Sequence, residues 1–166
     1  MKPASACATV RSRATGCRGP ALIGFMAGAC VFRADVFRQT GGYEPRLFIG
    51  GEETLVSLDV LRAGHGIVYM DELVLHHHPS PLRDSAQRRR LLARNAAWVA
   101  WMRLPLAEAL CATRAAIAVL PALPDLKELI AGIAWALRRR RVIDKHVQRF
   151  CCSKAVRYDV RNNMTG

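Results

Sequence analysis

Two carboxylates stand side by side in the middle of the chain, where an apolar helical pattern begins. Glu52 and Glu53 follow the glycine pair Gly50-Gly51, and apolar residues then recur at spacings of three and four as far as Gly64. Acidic side chains in a first helical turn stabilise the helix dipole by about 0.3–1 kcal/mol each, which is one interpretation of the pair. A positioned carboxylate is also a general base that can remove the proton from an attacking hydroxyl. The pattern alone leaves both interpretations open.

Three adjacent histidines, His76, His77 and His78, form the second group that could hold a ligand. In a strand, neighbouring side chains point to opposite faces, so at most His76 and His78 share a face. Two ligands make a weak zinc site, and a solvated histidine run or a single histidine facing a pocket is the simpler interpretation. The six cysteines form no C-x-x-C pair, which argues against a thiolate metal site and against a thioredoxin-like motif.

The charge balance favours an anionic partner. The 166 residues carry a formal net charge of +12, and arginine runs lie at 88–90 and 138–141. Nucleic acid, an anionic membrane surface and a phosphate-bearing substrate all suit such a chain, and charge alone does not choose among them. The first twenty residues lack the apolar segment of a secretory signal, and no apolar run is long enough to cross a bilayer. We therefore expect a cytoplasmic protein.

The periodicity predicts short strands mixed with helices in the first half and helices alone in the second. The expected fold class is α/β, followed by C-terminal helices. Trp98 and Trp101 lie three residues apart in the third helix and are expected in the core. Residues 1–20 are interpreted as a loose basic leader. The predicted helices cover residues 34–39, 52–63, 84–102, 106–120 and 126–137, and the predicted strands cover 29–33, 67–70 and 73–75.

Five short motifs, taken in order, resemble the C-terminal, acceptor-side half of the family 2 glycosyltransferases, which are inverting enzymes of the GT-A type. The resemblance implies a partial GT-A fold over residues 21–104, with the nucleotide-binding half missing, then a helical extension over 105–150 and a polar tail over 151–166. The motifs are Gly28 before an expected strand, Gly41-Gly42-Tyr43-Glu44, Gly51-Glu52-Glu53, Gly64 with Tyr69, and His76 to His78.

The resemblance also implies roles for single residues. Glu53 matches the family's general base, which takes the proton of the acceptor hydroxyl as that oxygen attacks the anomeric carbon of a nucleotide-sugar. Glu52 would hold the acceptor hydroxyl or the loop, and Gly28 would lie in the loop that approaches the donor. Arg94 matches a position near the acceptor, which in this family is a glycan or a lipid-linked sugar. His77 best matches the histidine that helps to hold the Mg²⁺ or Mn²⁺ ion or the diphosphate.

The sequence departs from the family in several places. The family commonly has Asp where Glu53 stands, and it often has an acid and an arginine where this chain has Leu55 and Asp59. Its nucleotide-binding strands and its D-x-D metal motif, which supplies the main metal ligands, are absent from this sequence. We therefore expect a fragment or remnant that has weak or no activity on its own.

Two other functions are consistent with the sequence. A basic nucleic-acid-binding module is supported by the charge, although the arginine runs are separate and no zinc-finger, RRM or KH signature occurs. A non-catalytic remnant could instead bind a partner through apolar surface left exposed where the other half of the domain would pack. The arginine run at 138–141 could also contact anionic lipid headgroups and hold the protein at the inner face of the membrane.

Overall fold

The computed structural model describes residues 19–76, 78, 85–120 and 122–152. Most of the predicted leader, the polar tail after residue 152 and the predicted metal residue His77 lie outside the described residues. The described part is mostly helical and contains a small two-stranded antiparallel sheet. The strands are β1 (Ala21–Leu22) and β2 (Ile67–Val68), and the helices are α1 (Ala34–Gln39), α2 (Glu52–Arg62), α3 (Ser85–Arg103), α4 (Leu106–Val119), α5 (Leu123–Arg138) and α6 (Lys145–Cys152).

The first two helices end where the glycines predicted. After α1, Gly41 and Gly42 have φ angles of 88° and 66°, a region that side chains with a Cβ rarely adopt. After α2, Gly64 has a φ of 82° and its N–H donates to the carbonyl of Leu61. Both boundaries were predicted to within a residue, because a left-handed glycine just beyond a helix satisfies the last carbonyls of the helix.

The predicted strands are largely wrong. The sheet pairs Ala21 with Val68 and Leu22 with Ile67, so β2 is shorter than its predicted range. Residues 29–33 form no strand, and a short 3-10 helix, Ala27–Ala29, overlaps the first of them. Residues 73–75 also form no strand. A short apolar run becomes a strand only when a neighbouring strand accepts its backbone hydrogen bonds, and strand propensity does not supply that neighbour.

The helical predictions are confirmed with small shifts in their ends. Helix α3 packs along both α4 and α5 and forms the centre of the structure. Helix α5 begins three residues earlier than predicted, because Pro124 fits the first turn, where its missing N–H has no partner in any case. The main core contains Leu47, Leu55, Leu58, Ala97, Trp98, Val99, Met102, Ala116, Leu120, Leu129, Trp135, Ala136, Ile143 and Val147.

The segment that follows α5 is tied to the end of α3, and it leads into a helix that was not predicted. The N–H groups of Arg141 and Ile143 donate to the carbonyls of Met102 and Arg103 at 2.8 and 2.9 Å. Val147 of α6 is buried in the core beside Ile143, which precedes the helix, so packing against the core stabilises this short helix. None of the described helices is both long enough and apolar enough to cross a bilayer.

Candidate active site at the start of helix α2

The two carboxylates are presented by a tight backbone turn. Phe48, Gly50 and Gly51 all have positive φ angles, of 49°, 82° and 93°. Glycine tolerates this conformation, whereas a residue with a Cβ such as Phe48 is held there at some energetic cost. The turn reverses the chain immediately before α2, so that Glu52 and Glu53 form the first two helical positions.

Asn95 of α3 holds this turn in place. Its Nδ2 donates to the carbonyls of Leu47, Ile49 and Gly50, the last at 2.7 Å. Its Oδ1 accepts hydrogen bonds from Nε and Nη2 of Arg94, at 3.0 and 2.9 Å. Asn95 is fully buried, and this set of partners fixes which way its amide points. We refer to this arrangement as the Asn95 clamp; no short motif in the sequence identifies it.

Glu52 is the more constrained of the two acids. Burial, followed by the neighbouring charge of Glu53, raises its pKa, while backbone N–H groups at Glu52 and Gly50 and the charge of Arg88 act in the opposite direction. Its Oε2 atom is buried and has no hydrogen-bond partner among the described residues. A buried carboxylate oxygen without a partner is costly, which marks this atom as a position where a ligand hydroxyl could bind.

Tyr43 lies close enough to both acids to sense their charge. Partial burial, followed by interactions with Cys30 and with the charges of Glu53 and Glu52, raises the pKa of Tyr43 to about 12. The phenol is protonated at neutral pH, as an ordinary tyrosine is, and it can donate a hydrogen bond. Tyr43 is part of the Gly-Gly-Tyr-Glu motif singled out in the sequence, whereas Cys30 was not recognised as a neighbour of the site.

Each guanidinium nitrogen of Arg94 donates a hydrogen bond to another side chain. In addition to Asn95, its guanidinium binds Glu128 of α5 through Nη1 and lies 4.3 Å from the centre of the Trp98 ring. The residue is buried. These contacts support the Asn95 clamp and join α3 to α5, and the substrate-binding role suggested for Arg94 stays a prediction.

A buried ion pair behind α2 fixes this helix against α3. Both carboxylate oxygens of Asp59 accept from Arg103, at 2.6 Å from Nε and 2.8 Å from Nη2. Arg103 also donates to the carbonyls of Met102 and Arg139. The sequence shows Asp59 as a lone acid on the apolar side of α2, and such an acid needs a cationic partner, but its spacing does not say which arginine supplies it.

The remaining described residues of the predicted site motifs lie in exposed segments. Gly28 is in the exposed 3-10 helix, and a Cβ there would meet nothing within 4 Å. His76 and His78 are exposed, and His77 lies outside the described residues. Over the described ranges, no three His, Cys, Asp or Glu side chains are grouped so that they could hold a metal ion. The described residues therefore do not supply a site that fits Mg²⁺ or Mn²⁺.

A small cavity lies between α3 and the start of α5, separate from the carboxylate pair. Its volume is about 210 Å³. Its lining includes Arg90, Arg94, Asp125 and Glu128, so its charges balance and it has no preference for an anion. The full lining is Gln87, Arg90, Leu91, Arg94, Leu120, Asp125 and Glu128.

The arginine run after α5 is divided between structural and exposed roles. Arg139 binds Glu44, and Arg140 donates to the carbonyls of Trp101 and Leu104. Arg138 and Arg141 are exposed. The run is therefore a weaker basic patch than four consecutive arginines suggest.

Comparisons of the chain with models of protein families, with curated proteins and with solved structures found no match.

Proposed function

We propose that this chain is the acceptor-side half of an inverting glycosyltransferase, in which Glu53 is the general base for sugar transfer to a hydroxyl. The observation that carries the proposal is the carboxylate pair at the start of α2, presented by a left-handed Gly50-Gly51 turn that the Asn95 clamp holds. The five ordered motifs that resemble family 2 glycosyltransferases add to it. A partial GT-A arrangement over residues 21–104 belongs to the same proposal.

A general base needs a fixed position more than it needs an unusual side chain. An alcohol becomes a competent nucleophile when its proton is removed as the new bond forms, and a positioned base contributes roughly 10²–10⁴-fold to the rate. Glu53 lies on the first turn of a helix whose far side is tied to α3 by the Asp59–Arg103 ion pair. Its backbone carbonyl also accepts a 2.6 Å hydrogen bond from the buried hydroxyl of Ser57. These contacts fix the helical backbone that carries Glu53, as an acid–base site requires.

Glu52 and Tyr43 supply the groups that would orient the acceptor. The buried Oε2 of Glu52 lacks a protein partner and would accept a hydrogen bond from a sugar hydroxyl. The protonated Tyr43 phenol would donate a hydrogen bond to an acceptor oxygen. In this arrangement Glu53 would remove the proton of the attacking hydroxyl, and Glu52 and Tyr43 would bind the acceptor.

The donor side of the reaction belongs to a part of the family's domain that this sequence does not contain. The Mg²⁺ or Mn²⁺ ion that the resemblance implies would be held by that part, where it would supply positive charge to the diphosphate. Large apolar side chains are exposed in the segments around β1 and β2, which suits packing against such a half. The exposed residues are Met26, Val31, Phe48, Tyr69, Leu73, Val74 and Leu75. The same exposure supports the alternative of a partner-binding remnant without catalysis.

The first experiment is to read the DNA upstream of Met1. We expect an in-frame, strand-rich stretch that contains a D-x-D motif. The protein encoded by the full frame is then assayed for sugar transfer from a panel of nucleotide-sugars to glycan and lipid-linked acceptors. A nearby in-frame stop codon and no such stretch would instead favour the partner-binding remnant.

The catalytic role of Glu53 is tested in that protein by conservative substitution. Glu53→Gln should lower turnover by about 100-fold while donor affinity stays unchanged, because the base is lost and the donor site is not. Glu53→Asp, which restores the family's usual residue, should retain much of the activity. Glu72→Gln removes an exposed carboxylate elsewhere and serves as the matched control. A normal rate for Glu53→Gln would remove Glu53 from the reaction.

Binding to nucleic acid, measured over a series of salt concentrations, distinguishes a transferase from a nucleic-acid-binding module. A transferase should show only weak binding to DNA or RNA, independent of sequence and lost with salt. Tight binding with a sequence preference would favour the nucleic-acid-binding module.

A further inference from the structure

Helix α5 has a second apolar face that points away from the core. Leu123, Ile130 and Leu137 are 74%, 66% and 46% exposed. Their spacing of seven residues places them along one side of the helix, with a drift of only about 20° per step. The opposite side, with Leu129, Gly132 and Ala136, is buried against the core. An exposed apolar line of this length on a helix that already packs on its other side indicates a second contact surface.

The charged side chains beside these apolar residues of α5 are positive. Lys127 lies between Leu123 and Ile130 on the same side of α5, and Arg138 lies beside Leu137; both are exposed. The two acids of α5 lie elsewhere: Asp125 lines the α3–α5 cavity, and Glu128 binds Arg94. We refer to the surface formed by Leu123, Lys127, Ile130, Leu137 and Arg138 as the outer face of α5.

We propose that the outer face of α5 docks onto an anionic membrane surface. Apolar side chains in line with cations that can extend toward phosphate groups are the pattern of a helix lying in the interface of a bilayer. A second copy of this chain is the less favourable occupant, because two outer faces would bring four cations together without an acid. The inference depends on the exposed side chains of α5 and not on sugar transfer.

The proposal is tested by sedimentation of the purified chain with lipid vesicles. Vesicles of mixed phosphatidylglycerol and phosphatidylcholine should bind the protein, and vesicles of phosphatidylcholine alone should bind it much less. Ile130→Glu should lower the bound fraction on anionic vesicles roughly tenfold, because it places a carboxylate in the apolar interface. Ile117→Glu introduces the same charge at an isoleucine of α4 that is 49% exposed, and it should leave binding unchanged.

A double variant isolates the electrostatic contribution to membrane binding. Lys127→Gln combined with Arg138→Gln should weaken binding to anionic vesicles while leaving the small binding to phosphatidylcholine unchanged. Circular dichroism of each variant confirms that the fold is retained.

Three results would overturn the proposal. The first is absence of binding to anionic vesicles. The second is equal binding by Ile130→Glu and Ile117→Glu. The third is a dimer in sedimentation velocity without lipid that Ile130→Glu converts to a monomer, which would assign the outer face to a second copy.

Discussion

Gly132 of α5 lies directly against the indole ring of Trp98 in α3. A Cβ built on Gly132 would be 1.9 Å from Cε2 of Trp98, far inside van der Waals contact. The same indole donates to the carbonyl of Leu129 at 3.0 Å and packs edge-to-face against Trp135. The absence of a side chain at Gly132 therefore allows α5 to approach α3 and bury Trp98.

Gly132→Ala should destabilise the protein although alanine is the better helix former. Helix propensity alone predicts a gain of about 0.8–1 kcal/mol. The new methyl group would overlap Trp98, and overpacking of this kind costs about 1–3 kcal/mol. We expect a net loss of up to about 2 kcal/mol in the free energy of unfolding, measured by urea denaturation. Ala134→Gly at an exposed position of α5 calibrates the propensity effect, and a gain in stability for Gly132→Ala would contradict the close packing.

Asn95→Asp should loosen the turn that presents the carboxylates. The substitution keeps the shape of the side chain and its contact with Arg94 but removes both N–H donors. The carbonyls of Ile49 and Gly50 then lose this donor, while the Leu47 carbonyl keeps the N–H of Ile49. Because each buried unpaired group costs about 1–3 kcal/mol and water can relieve part of the loss, we expect a decrease of about 2–3 kcal/mol in unfolding free energy. Gln39→Glu makes the same charge change at an exposed site and should alter stability by less than about 0.5 kcal/mol.

Gly51→Ala and Gly64→Ala form a matched pair that measures the contact between the turn and α3. Both glycines have left-handed φ angles, of 93° and 82°, so both substitutions should cost about 1–2 kcal/mol in backbone strain. Only Gly51 is crowded, since its Cβ would lie 3.2 Å from Cβ of Asn95, whereas nothing lies within 4 Å at Gly64. Gly51→Ala should therefore be the more destabilising in thermal unfolding, and equal losses would show that the turn does not press on α3.

Asp59→Ala should be among the most destabilising single substitutions. It leaves the buried guanidinium of Arg103 without its bidentate partner, and breaking a buried pair in this way costs about 3–5 kcal/mol. The control is Asp35→Ala, which breaks the exposed pair with Arg33 and should cost at most about 1 kcal/mol. A small effect for Asp59→Ala in urea unfolding would mean that water enters and solvates Arg103.

The raised pKa of Glu52 predicts how stability depends on pH. In the folded protein, burial favours the neutral acid, so its proton is held more tightly than in the unfolded chain. Stability from this group is therefore fully present below the ordinary value of 4.5 and is lost as pH rises through the higher folded pKa. Because Glu52→Gln does not titrate, wild type should lose unfolding free energy relative to the variant over this window. A difference that stays constant with pH would argue against burial of the acid.

Interactions between residues close in sequence determined most of the helices and their ends. The left-handed glycines after α1 and α2 and the apolar periodicity each act within a few residues, so they can be interpreted from spacing alone. The burial of Trp98 and Trp101 was expected for the same reason: Trp98 lies in the core, and the partly buried Trp101 donates to Thr113 at 2.8 Å. The carboxylate pair was likewise visible as Glu52 and Glu53 before the stripe of α2. The start of α5 was not predicted, because Pro124 was interpreted as a break between helices.

Only the tertiary structure decided which distant groups meet. The Asn95 clamp spans 45 to 48 residues, the Asp59–Arg103 pair 44, and the Arg94–Glu128 pair 34. Helix periodicity assigns a side chain to a face but does not choose its partner on another helix. The predicted strands at 29–33 and 73–75 failed for the same reason, since a strand exists only where another strand pairs with it. A buried polar side chain needs a hydrogen-bond or ion-pair partner. The packing of the chain decides which arginine or carbonyl becomes that partner.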